Sequence, residues 1–264
     1  MVKKNILTLQ QMKQSGEKIT ALTAYDYLTA SILDESGIDL ILVGDSAANV
    51  FAGHSTTLPM TMEEMLYHTR SVARGVKHAL LIADMPFLSY QCNIDSAVCN
   101  AGQFLKSGAE GVKMEGGQII YDRIFRLTRM GIPVMGHIGL QPQSIHQVGG
   151  YHTMGETESD IKKLVNDAHA LEEAGVFAIV VEKVTAKAAE EITKNVCVPT
   201  IGIGAGSECD GQILVTPDML GMNPEFKPKF LRHYAELKSV MLDAFQRYKE
   251  DVKKGKYPSK EESY

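Results

Sequence analysis

Residues 38–45 read Ile-Asp-Leu-Ile-Leu-Val-Gly-Asp, a nearly continuous apolar run that ends in a carboxylate. Three further runs repeat this pattern, at residues 79–84 (ALLIAD), 111–115 (GVKME) and 176–182 (VFAIVVE). Short runs rich in Ile, Leu and Val are typical of parallel strands that are buried on both faces. The acids that end these runs lie where the strands emerge, which is the edge that carries the chemistry in α/β sheets and barrels.

Strand-like and helix-like segments alternate over most of the chain. Four more strands are predicted, at residues 18–24, 132–138, 199–203 and 212–215. Eight strands that alternate with helices in about 250 residues predict an α/β fold, a closed (β/α)8 TIM barrel. We predict one domain over residues 1–264, with the barrel at about 18–222 and a C-terminal helical tail at about 229–253.

An open doubly wound sheet is the alternative architecture. A dinucleotide-binding sheet of that type carries Gly-x-Gly-x-x-Gly directly after its first strand. The corresponding turn at residues 24–27 reads AYDY, which lacks these glycines, and the glycine-rich segment 202–206 follows the seventh strand instead. The turn after the first strand therefore favours the barrel.

Composition and charge exclude several classes of partner. The 264 residues carry a net charge of −5 without a basic stripe, so we expect no nucleic-acid partner. There is no run of eighteen apolar residues, so we expect no membrane span, and the N-terminus lacks the apolar stretch of a signal peptide. No cysteines form a Cys-x-x-Cys pair, which favours reduced thiols in a cytoplasmic protein. The cysteines are Cys92, Cys99, Cys197 and Cys209.

Asp45 and Asp84 follow the second and third predicted strands, which are neighbours in a barrel. Two carboxylates in one site repel each other unless a cation lies between them, and Mg²⁺ accepts carboxylate ligands while keeping positions for substrate oxygens. Either aspartate alone could instead cap the helix that follows it. Because Glu115 lies on the next strand, where it could bind directly or through a water, the pattern favours a Mg²⁺ site.

Lys113 lies two residues before Glu115, so both side chains face the same side of a strand, toward the barrel mouth. This lysine could bind a substrate carboxylate or a developing enolate oxygen. It could also be a snorkelling lysine or part of a structural ion pair. The surrounding acids favour the functional interpretation.

Three further polar residues lie at strand ends. Glu182 follows six apolar residues, and a partly desolvated glutamate has a raised pKa and can act as a general base. A salt bridge with Lys183 or another rim residue is an equally good interpretation. His137 could contact the substrate or a folate-like partner, or it could be a structural histidine. Ser46 could donate a hydrogen bond to a substrate carboxylate.

A series of motifs resembles the ketopantoate hydroxymethyltransferase family. In family order they are residues 23–26 (TAYD), 43–46 (VGDS), 58–61 (LPMT), 83–86 (ADMP), 112–117 (VKMEGG), 136–143 (GHIGLQPQ), 149–151 (GGY), 181–182 (VE), 201–206 (IGIGAG) and 210–212 (DGQ). These ordered motifs extend over most of the predicted barrel, which makes the resemblance specific.

The resemblance implies a barrel of the phosphoenolpyruvate/pyruvate-like type and a role in pantothenate and coenzyme A biosynthesis. The implied enzyme transfers a hydroxymethyl unit from 5,10-methylenetetrahydrofolate to 3-methyl-2-oxobutanoate and gives 2-dehydropantoate. Water must be kept from the enolate so that it is not simply reprotonated, and the long loops after the second and fifth strands are therefore candidate lids.

The family residues that carry over to this chain fall into three groups. The residues implied near one Mg²⁺ per subunit are Asp45, Asp84 and Glu115. The residues implied to contact the keto acid are Asp45, Ser46, Asp84 and Lys113. Glu182 is the implied proton acceptor. The chain departs from the family at Lys183, where a small or apolar residue is common; as the strand neighbour of Glu182, its side chain is expected to point away from the site.

The resemblance also implies a homo-oligomer, often a decamer, in which the amphipathic C-terminal helix could pack on a neighbour. One alternative function is a Mg²⁺-dependent carbon–carbon lyase or mutase that acts on a 2-oxo acid. The loop at residues 85–90 (MPFLSY) lacks the cysteine-bearing motif of isocitrate lyases. The other alternative is a non-catalytic barrel that binds a small molecule, but a simple binder has little need of a base.

Overall fold

The computed structural model describes residues 2–150 and 152–264, and these form two compact units that divide between Leu214 and Val215. Tyr151, the last residue of the predicted motif at 149–151, lies outside the described residues. The prediction of a single domain over residues 1–264 stays a prediction. None of the described helices is long and apolar enough to cross a membrane.

The described part of the first unit contains a closed barrel of eight parallel strands. Each strand pairs with its neighbours in the chain, and β8 pairs with β1 to close the barrel. The strands are β1 (Ile19–Thr23), β2 (Leu40–Val43), β3 (Leu80–Asp84), β4 (Gly111–Glu115), β5 (Val134–Gly139), β6 (Ala178–Glu182), β7 (Thr200–Ile203) and β8 (Gly211–Leu214). The (β/α)8 prediction is confirmed, and each predicted strand overlaps an observed one.

Helices alternate with the strands along the chain, and two more follow β8 in the second unit. They are α1 (Ile6–Ser15), α2 (Tyr27–Glu35), α3 (Ala47–Val50), α4 (Met62–Ala73), α5 (Ile94–Lys106), α6 (Tyr121–Arg129), α7 (Ile145–Val148), α8 (Glu158–Glu173), α9 (Ala186–Asn195), α10 (Thr216–Met219) and α11 (Leu237–Lys253). The start of α4 is set by a capping box, in which Thr61 and Glu64 each accept a hydrogen bond from the other's backbone N–H. The loop predicted after β2 contains the one-turn helix α3, which begins directly after Ser46.

Side chains along each strand alternate between two apolar clusters, as the two-residue repeat of a strand requires. One set, which includes Ile41 and Leu81, packs against the helices. The other set, which includes Leu40 and Leu80, fills the interior of the barrel. Toward the carboxyl ends of β3 to β6, the residues that face the interior are polar: Asp84, Glu115, His137 and Glu182. The interior is therefore apolar near the amino ends of the strands and charged at the mouth, where the carboxyl ends lie.

The N-terminal helix α1, which the sequence did not predict, closes the opposite end of the barrel. Leu9 and Met12 on this helix are buried in the interior cluster. Three ion pairs join the N-terminal residues to positions directly before β2, β4 and β8: Lys4–Asp39 (3.0 Å), Lys3–Glu110 (2.5 Å) and Lys13–Asp210 (2.9 Å). The N-terminal segment is therefore part of the barrel unit.

The second unit corrects the predicted bounds of the C-terminal helix. The prediction of a helix over about 229–253 is wrong at its start, because α11 begins at Leu237. The backbone before α11 bonds elsewhere within the same unit, since the N–H of Tyr234 donates to the carbonyl of Met219 at 2.8 Å. The N–H of Tyr234 is therefore used in a tertiary hydrogen bond and not in a helical one.

Gly139 ends β5 where the backbone passes close to Glu182. Its φ is +92°, and a Cβ at this position would overlap the backbone oxygen of Glu182. We therefore expect Gly139→Ala to lower the free energy of unfolding by more than the ~1–2 kcal/mol that a positive φ costs an alanine.

The matched control is Gly149→Ala, because Gly149 has a φ of +76° and, apart from its chain neighbours, no atom of the described residues lies within 4 Å of the added Cβ. The free energy of unfolding of both variants is measured by urea denaturation. Gly149→Ala reports the cost of a positive φ alone, and the additional loss in Gly139→Ala reports the overlap of the Cβ with Glu182. Equal losses of stability in the two variants would contradict this account of Gly139.

Candidate active site

The mouth of the barrel brings the predicted site residues together. Asp84 ends β3, Lys113 and Glu115 lie on β4, and His137 lies on β5. The strand register places Asp84 opposite Lys113, and Glu115 opposite His137. These four side chains are buried, whereas Glu182 at the end of β6 is 21% exposed. The interior positions of four consecutive strands thus form one charged cluster.

Lys113 pairs with two of the acids. Its Nζ lies 2.5 Å from Oδ1 of Asp84 and 3.5 Å from Oε1 of Glu115. Burial alone would lower the pKa of this lysine, but the charges of Asp84, Glu115 and Asp45 raise it above its usual range. The neighbouring carboxylates therefore favour the charged form of Lys113. The interpretation of a snorkelling lysine is wrong because the ammonium group is buried, and the alternative of a structural ion pair stays open.

Asp45 follows β2, and its backbone N–H donates to Oδ2 of Asp84 at 3.2 Å. Burial, together with the charges of Asp84 and Glu115, raises the pKa of Asp45 well above its ordinary value. Three buried carboxylates surround one lysine, so when all three are ionised the cluster has more negative than positive charge, even with His137 protonated. A cation bound here would reduce the repulsion among these carboxylates.

The same cluster is not spaced as a preformed cation cage. Within residues 2–150 and 152–264, no group of three or more His, Cys, Asp and Glu side chains has the spacing of a metal site. Lys113 lies against Asp84 and Glu115, and Oδ2 of Asp45 accepts a hydrogen bond from Gln143. The oxygen donors and their excess charge nevertheless fit Mg²⁺, which prefers carboxylate and water ligands.

His137 lies between Glu115 and Glu182, a position that the sequence did not predict. Its Nδ1 is 3.4 Å from Glu115 Oε1, and its Nε2 is 3.3 Å from Glu182 Oε2. Neither nitrogen makes a well-aligned hydrogen bond within the described residues. Burial and the charge of Lys113 would lower the pKa of His137, but the neighbouring carboxylates raise it to about 9. An imidazolium here would link the acid cluster to Glu182.

This histidine makes a testable contribution to stability in metal-free protein. A folded-state pKa of about 9, above the ordinary value of 6.5, stabilises the fold below pH 6.5, and the stabilisation is lost as the pH rises through 9. We expect wild-type protein in EDTA to lose at most ~1.4 kcal/mol per pH unit in this window from His137.

The measurement is urea unfolding at pH 6.5 and pH 9 for wild type and His137→Asn. The drop in the free energy of unfolding between the two pH values is expected to be smaller in the variant. A drop of the same size in both proteins would show that His137 carries no raised pKa.

Lys183 departs from the conformation that the sequence predicted. Strand β6 ends at Glu182, and Lys183 has a φ of +46°, in the left-handed region. The expectation that its side chain points away from the site assumed strand geometry, which Lys183 does not have, and that expectation stays a prediction. A non-glycine residue in this region is strained, and such strain is concentrated at functional sites. The alternative of a salt bridge for Glu182 stays open, since its Oε2 lies 3.3 Å from Nε2 of His137 at the rim.

Ser46 is held by a tyrosine that the sequence analysis did not single out. The hydroxyl of Tyr25 lies 2.8 Å from Oγ of Ser46, and Tyr25 is buried. The backbone oxygen of Tyr25 lies 2.7 Å from Nδ1 of His68 on α4. The only sequence signal for Tyr25 was its place in the motif at residues 23–26.

Gln143 is a second residue that the sequence analysis missed. It lies in the loop after β5, is 5% exposed, and its backbone N–H donates to Oε2 of Glu115 at 3.0 Å. Its side-chain Nε2 donates to Oδ2 of Asp45 at 2.9 Å. The loop that was predicted as a lid is therefore anchored directly on the acid cluster.

Comparison with known proteins gives consistent relatives over nearly the whole chain. Residues 3–260 match the profile of a family described as ketopantoate hydroxymethyltransferase. A protein of Chlorobium phaeobacteroides named 3-methyl-2-oxobutanoate hydroxymethyltransferase is 54% identical over 97% of this chain and 94% of its own length. Proteins of the same name from Chlorobaculum tepidum and Caldicellulosiruptor bescii are 55% and 53% identical, over 96% and 97% of this chain and 93% and 97% of their own lengths.

Solved structures of low sequence identity share the fold. Phosphonopyruvate hydrolase in complex with oxalate and Mg²⁺ is 17% identical, with a TM-score of 0.61 over 99% of this chain and 93% of that chain. A 2,3-dimethylmalate lyase, described as a member of the PEP mutase/isocitrate lyase superfamily, is also 17% identical, with a TM-score of 0.61 over 100% of this chain and 92% of that chain. At this identity the likeness establishes the barrel type alone.

Proposed function

Since this chain belongs to the ketopantoate hydroxymethyltransferase family, we propose that it transfers a hydroxymethyl unit from 5,10-methylenetetrahydrofolate to 3-methyl-2-oxobutanoate. The product is 2-dehydropantoate, in pantothenate and coenzyme A biosynthesis. The observation that carries the proposal is the arrangement at the barrel mouth, where the Lys113 cluster and Glu182 lie on opposite sides of His137. One side has the charges to hold a keto acid, and the other has a carboxylate able to take its proton.

The metal-binding part of the proposal assigns one Mg²⁺ per subunit to Asp45 and Asp84, with Glu115 bound directly or through a water. The raised pKa of Asp45 supports it, because a divalent cation would offset the repulsion among these carboxylates. Bound there, Mg²⁺ would withdraw electron density from a 2-oxo acid and make its C3 proton more acidic.

The protein side chains have separate tasks in the proposed reaction. Lys113 attracts the anionic substrate and stabilises the oxygen that becomes negative when the C3 proton leaves. Ser46, oriented by Tyr25, donates a hydrogen bond to the substrate carboxylate. Glu182 accepts the C3 proton, and its partial exposure leaves room for a substrate to approach.

The carbon–carbon bond then forms between C3 of the keto acid and the methylene carbon carried by the folate. Water supplies the hydroxyl oxygen, and tetrahydrofolate leaves, so that the atoms balance. His137 holds Glu182 from the side of the acid cluster, and a direct contact with substrate or folate stays a prediction. The loop carrying Gln143 covers the cluster and limits the entry of other water.

The alternative of a lyase or mutase acting on a 2-oxo acid has less support. Relatives named as transferases are 53–55% identical to this chain, whereas the phosphonopyruvate hydrolase and dimethylmalate lyase structures share only the fold at 17% identity. The homo-oligomer, its decameric form and the cytoplasmic location also stay predictions.

A turnover assay tests the proposal. Purified protein is incubated with 3-methyl-2-oxobutanoate and methylenetetrahydrofolate, with Mg²⁺ or with EDTA, and 2-dehydropantoate is measured by mass spectrometry. We expect product only with Mg²⁺. Exchange of the C3 proton into deuterated water without folate separates an enzyme from a passive binding barrel, and the absence of both product and exchange would overturn the proposal.

A further inference from the structure

Gln143 is buried at the mouth of the barrel and has no task in the proposed reaction, yet both ends of its amide are paired. Its Nε2 donates to Oδ2 of Asp45 and to the carbonyl of Met85, each at 2.9 Å. Its Oε1 accepts from the hydroxyl of Tyr90 at 2.9 Å and from Nε2 of Gln91 at 3.0 Å. Because acceptors surround the nitrogen and donors surround the oxygen, the amide has one orientation that satisfies all four partners.

The backbone of the same residue reaches another acid of the cluster. The N–H of Gln143 donates to Oε2 of Glu115 at 3.0 Å. The hydroxyl of Tyr90, which is bonded to the Gln143 side chain, also accepts the N–H of Glu115 at 3.0 Å. One residue from the loop after β5 therefore joins an acid that follows β2 to an acid on β4, across the intervening strand β3.

These contacts restrict both carboxylates. Oδ2 of Asp45 and Oε2 of Glu115 are each committed to a hydrogen bond with Gln143, which fixes the rotation of each carboxylate group. Groups that hydrogen-bond to metal ligands orient those ligands, and their removal typically costs about 10- to 100-fold in metal affinity or activity.

We infer that Gln143 is a positioning residue for the metal centre, which holds Asp45 and Glu115 in the relative orientation that lets both face one Mg²⁺. The inference rests on the proposed Mg²⁺-dependent function. It also couples the predicted lid to metal binding, because the loop after β5 cannot move away from the mouth without releasing both carboxylates.

The main test is Gln143→Met, which keeps the length and volume of the side chain and removes its hydrogen bonds. Mg²⁺ binding is measured by isothermal titration calorimetry without substrate, on protein whose fold is checked by circular dichroism. We expect the affinity for Mg²⁺ to fall at least about tenfold. In the turnover assay the KM for the keto acid should rise at low Mg²⁺ and return toward the wild-type value at high Mg²⁺, a rescue that a space-filling role would not produce.

Two further variants complete the test. Gln147→Ala changes an exposed glutamine on α7 in the same loop and should bind Mg²⁺ as wild type does. Tyr90→Phe keeps the ring and removes the hydroxyl, which bonds both the side chain of Gln143 and the N–H of Glu115. Its Mg²⁺ affinity should therefore fall by more than the about two- to tenfold effect of one neutral hydrogen bond. This variant decides the question if Gln143→Met does not fold.

The outcomes separate the inference from the function on which it rests. If wild type binds Mg²⁺ and the folded variants at Gln143 and Tyr90 bind it equally well, the positioning role is wrong and the proposed function stands. If wild type binds no Mg²⁺ with or without the keto acid, the metal-dependent function fails, and the inference fails with it.

Discussion

Glu182→Gln is expected to lower kcat by about 10²- to 10⁴-fold, the usual contribution of a general base, while Mg²⁺ and the keto acid still bind. The amide has the size of the carboxylate but cannot accept the C3 proton. Because the side chain of Glu182 is partly exposed, the substitution should leave the fold intact. The loss should therefore fall on the chemical step and not on KM.

Proton exchange isolates that step. The C3 proton of 3-methyl-2-oxobutanoate is followed by NMR in deuterated water, with Mg²⁺ and without folate, for wild type and Glu182→Gln. Glu156→Gln is the matched control, since Glu156 is exposed in the loop before α8. Exchange at the wild-type rate in Glu182→Gln would mean that another residue is the base.

Asp84→Asn is expected to weaken Mg²⁺-dependent binding of the keto acid by at least about a hundredfold. Oδ1 of Asp84 lies 2.5 Å from Nζ of Lys113, and its Oδ2 accepts a hydrogen bond from the backbone N–H of Asp45. Asp84 therefore helps to position both Lys113 and Asp45. The neutral amide removes a metal ligand in the proposed site, a larger change than the loss of a group that only orients a ligand.

Stability should change less than binding in this variant. The loss of a partner normally leaves a buried charge uncompensated, at a cost of ~3–5 kcal/mol. In this variant Lys113 still has Glu115 at 3.5 Å as a partner. Burial is the main cause of the raised pKa of Asp45, and removal of the Asp84 charge takes away the repulsion that adds to it.

Calorimetry with the keto acid, in Mg²⁺ and in EDTA, measures the expected effect of Asp84→Asn. Asp95→Asn, an exposed position in the first turn of α5, controls for the change of one charge. An unchanged Mg²⁺ requirement together with unchanged affinity would remove Asp84 from the site.

The barrel and its acids could be predicted because their signals are local. Each strand is a short apolar run, and a carboxylate at the end of a parallel strand can only emerge at the mouth, as Asp84 does. The alternation of side chains on β4 likewise placed Lys113 and Glu115 on the same face.

Gln143 and the bridging position of His137 were not predicted, because both depend on contacts between segments that are distant in the chain. Gln143 reaches Asp45 across 98 positions of sequence, and no periodicity in the loop after β5 encodes that hydrogen bond. His137 was visible as a polar residue on a strand, but its place between two carboxylates depends on the register of three strands. The family motifs contained these residues without revealing what they touch.

The helix that closes the barrel has a consequence for how the chain folds during synthesis. Lys13 is made early, but its partner Asp210 follows 197 positions later, and the pairing of β1 with β8 needs nearly the same length of chain. Until then the apolar side chains of Leu9 and Met12 have no complete interior to enter. Contacts this distant slow folding and prolong the exposure of apolar surface. Helix α1 leaves the ribosome before the strands that it closes, yet it is among the last elements of the barrel to be secured, and the barrel is most vulnerable to aggregation just before β8 emerges.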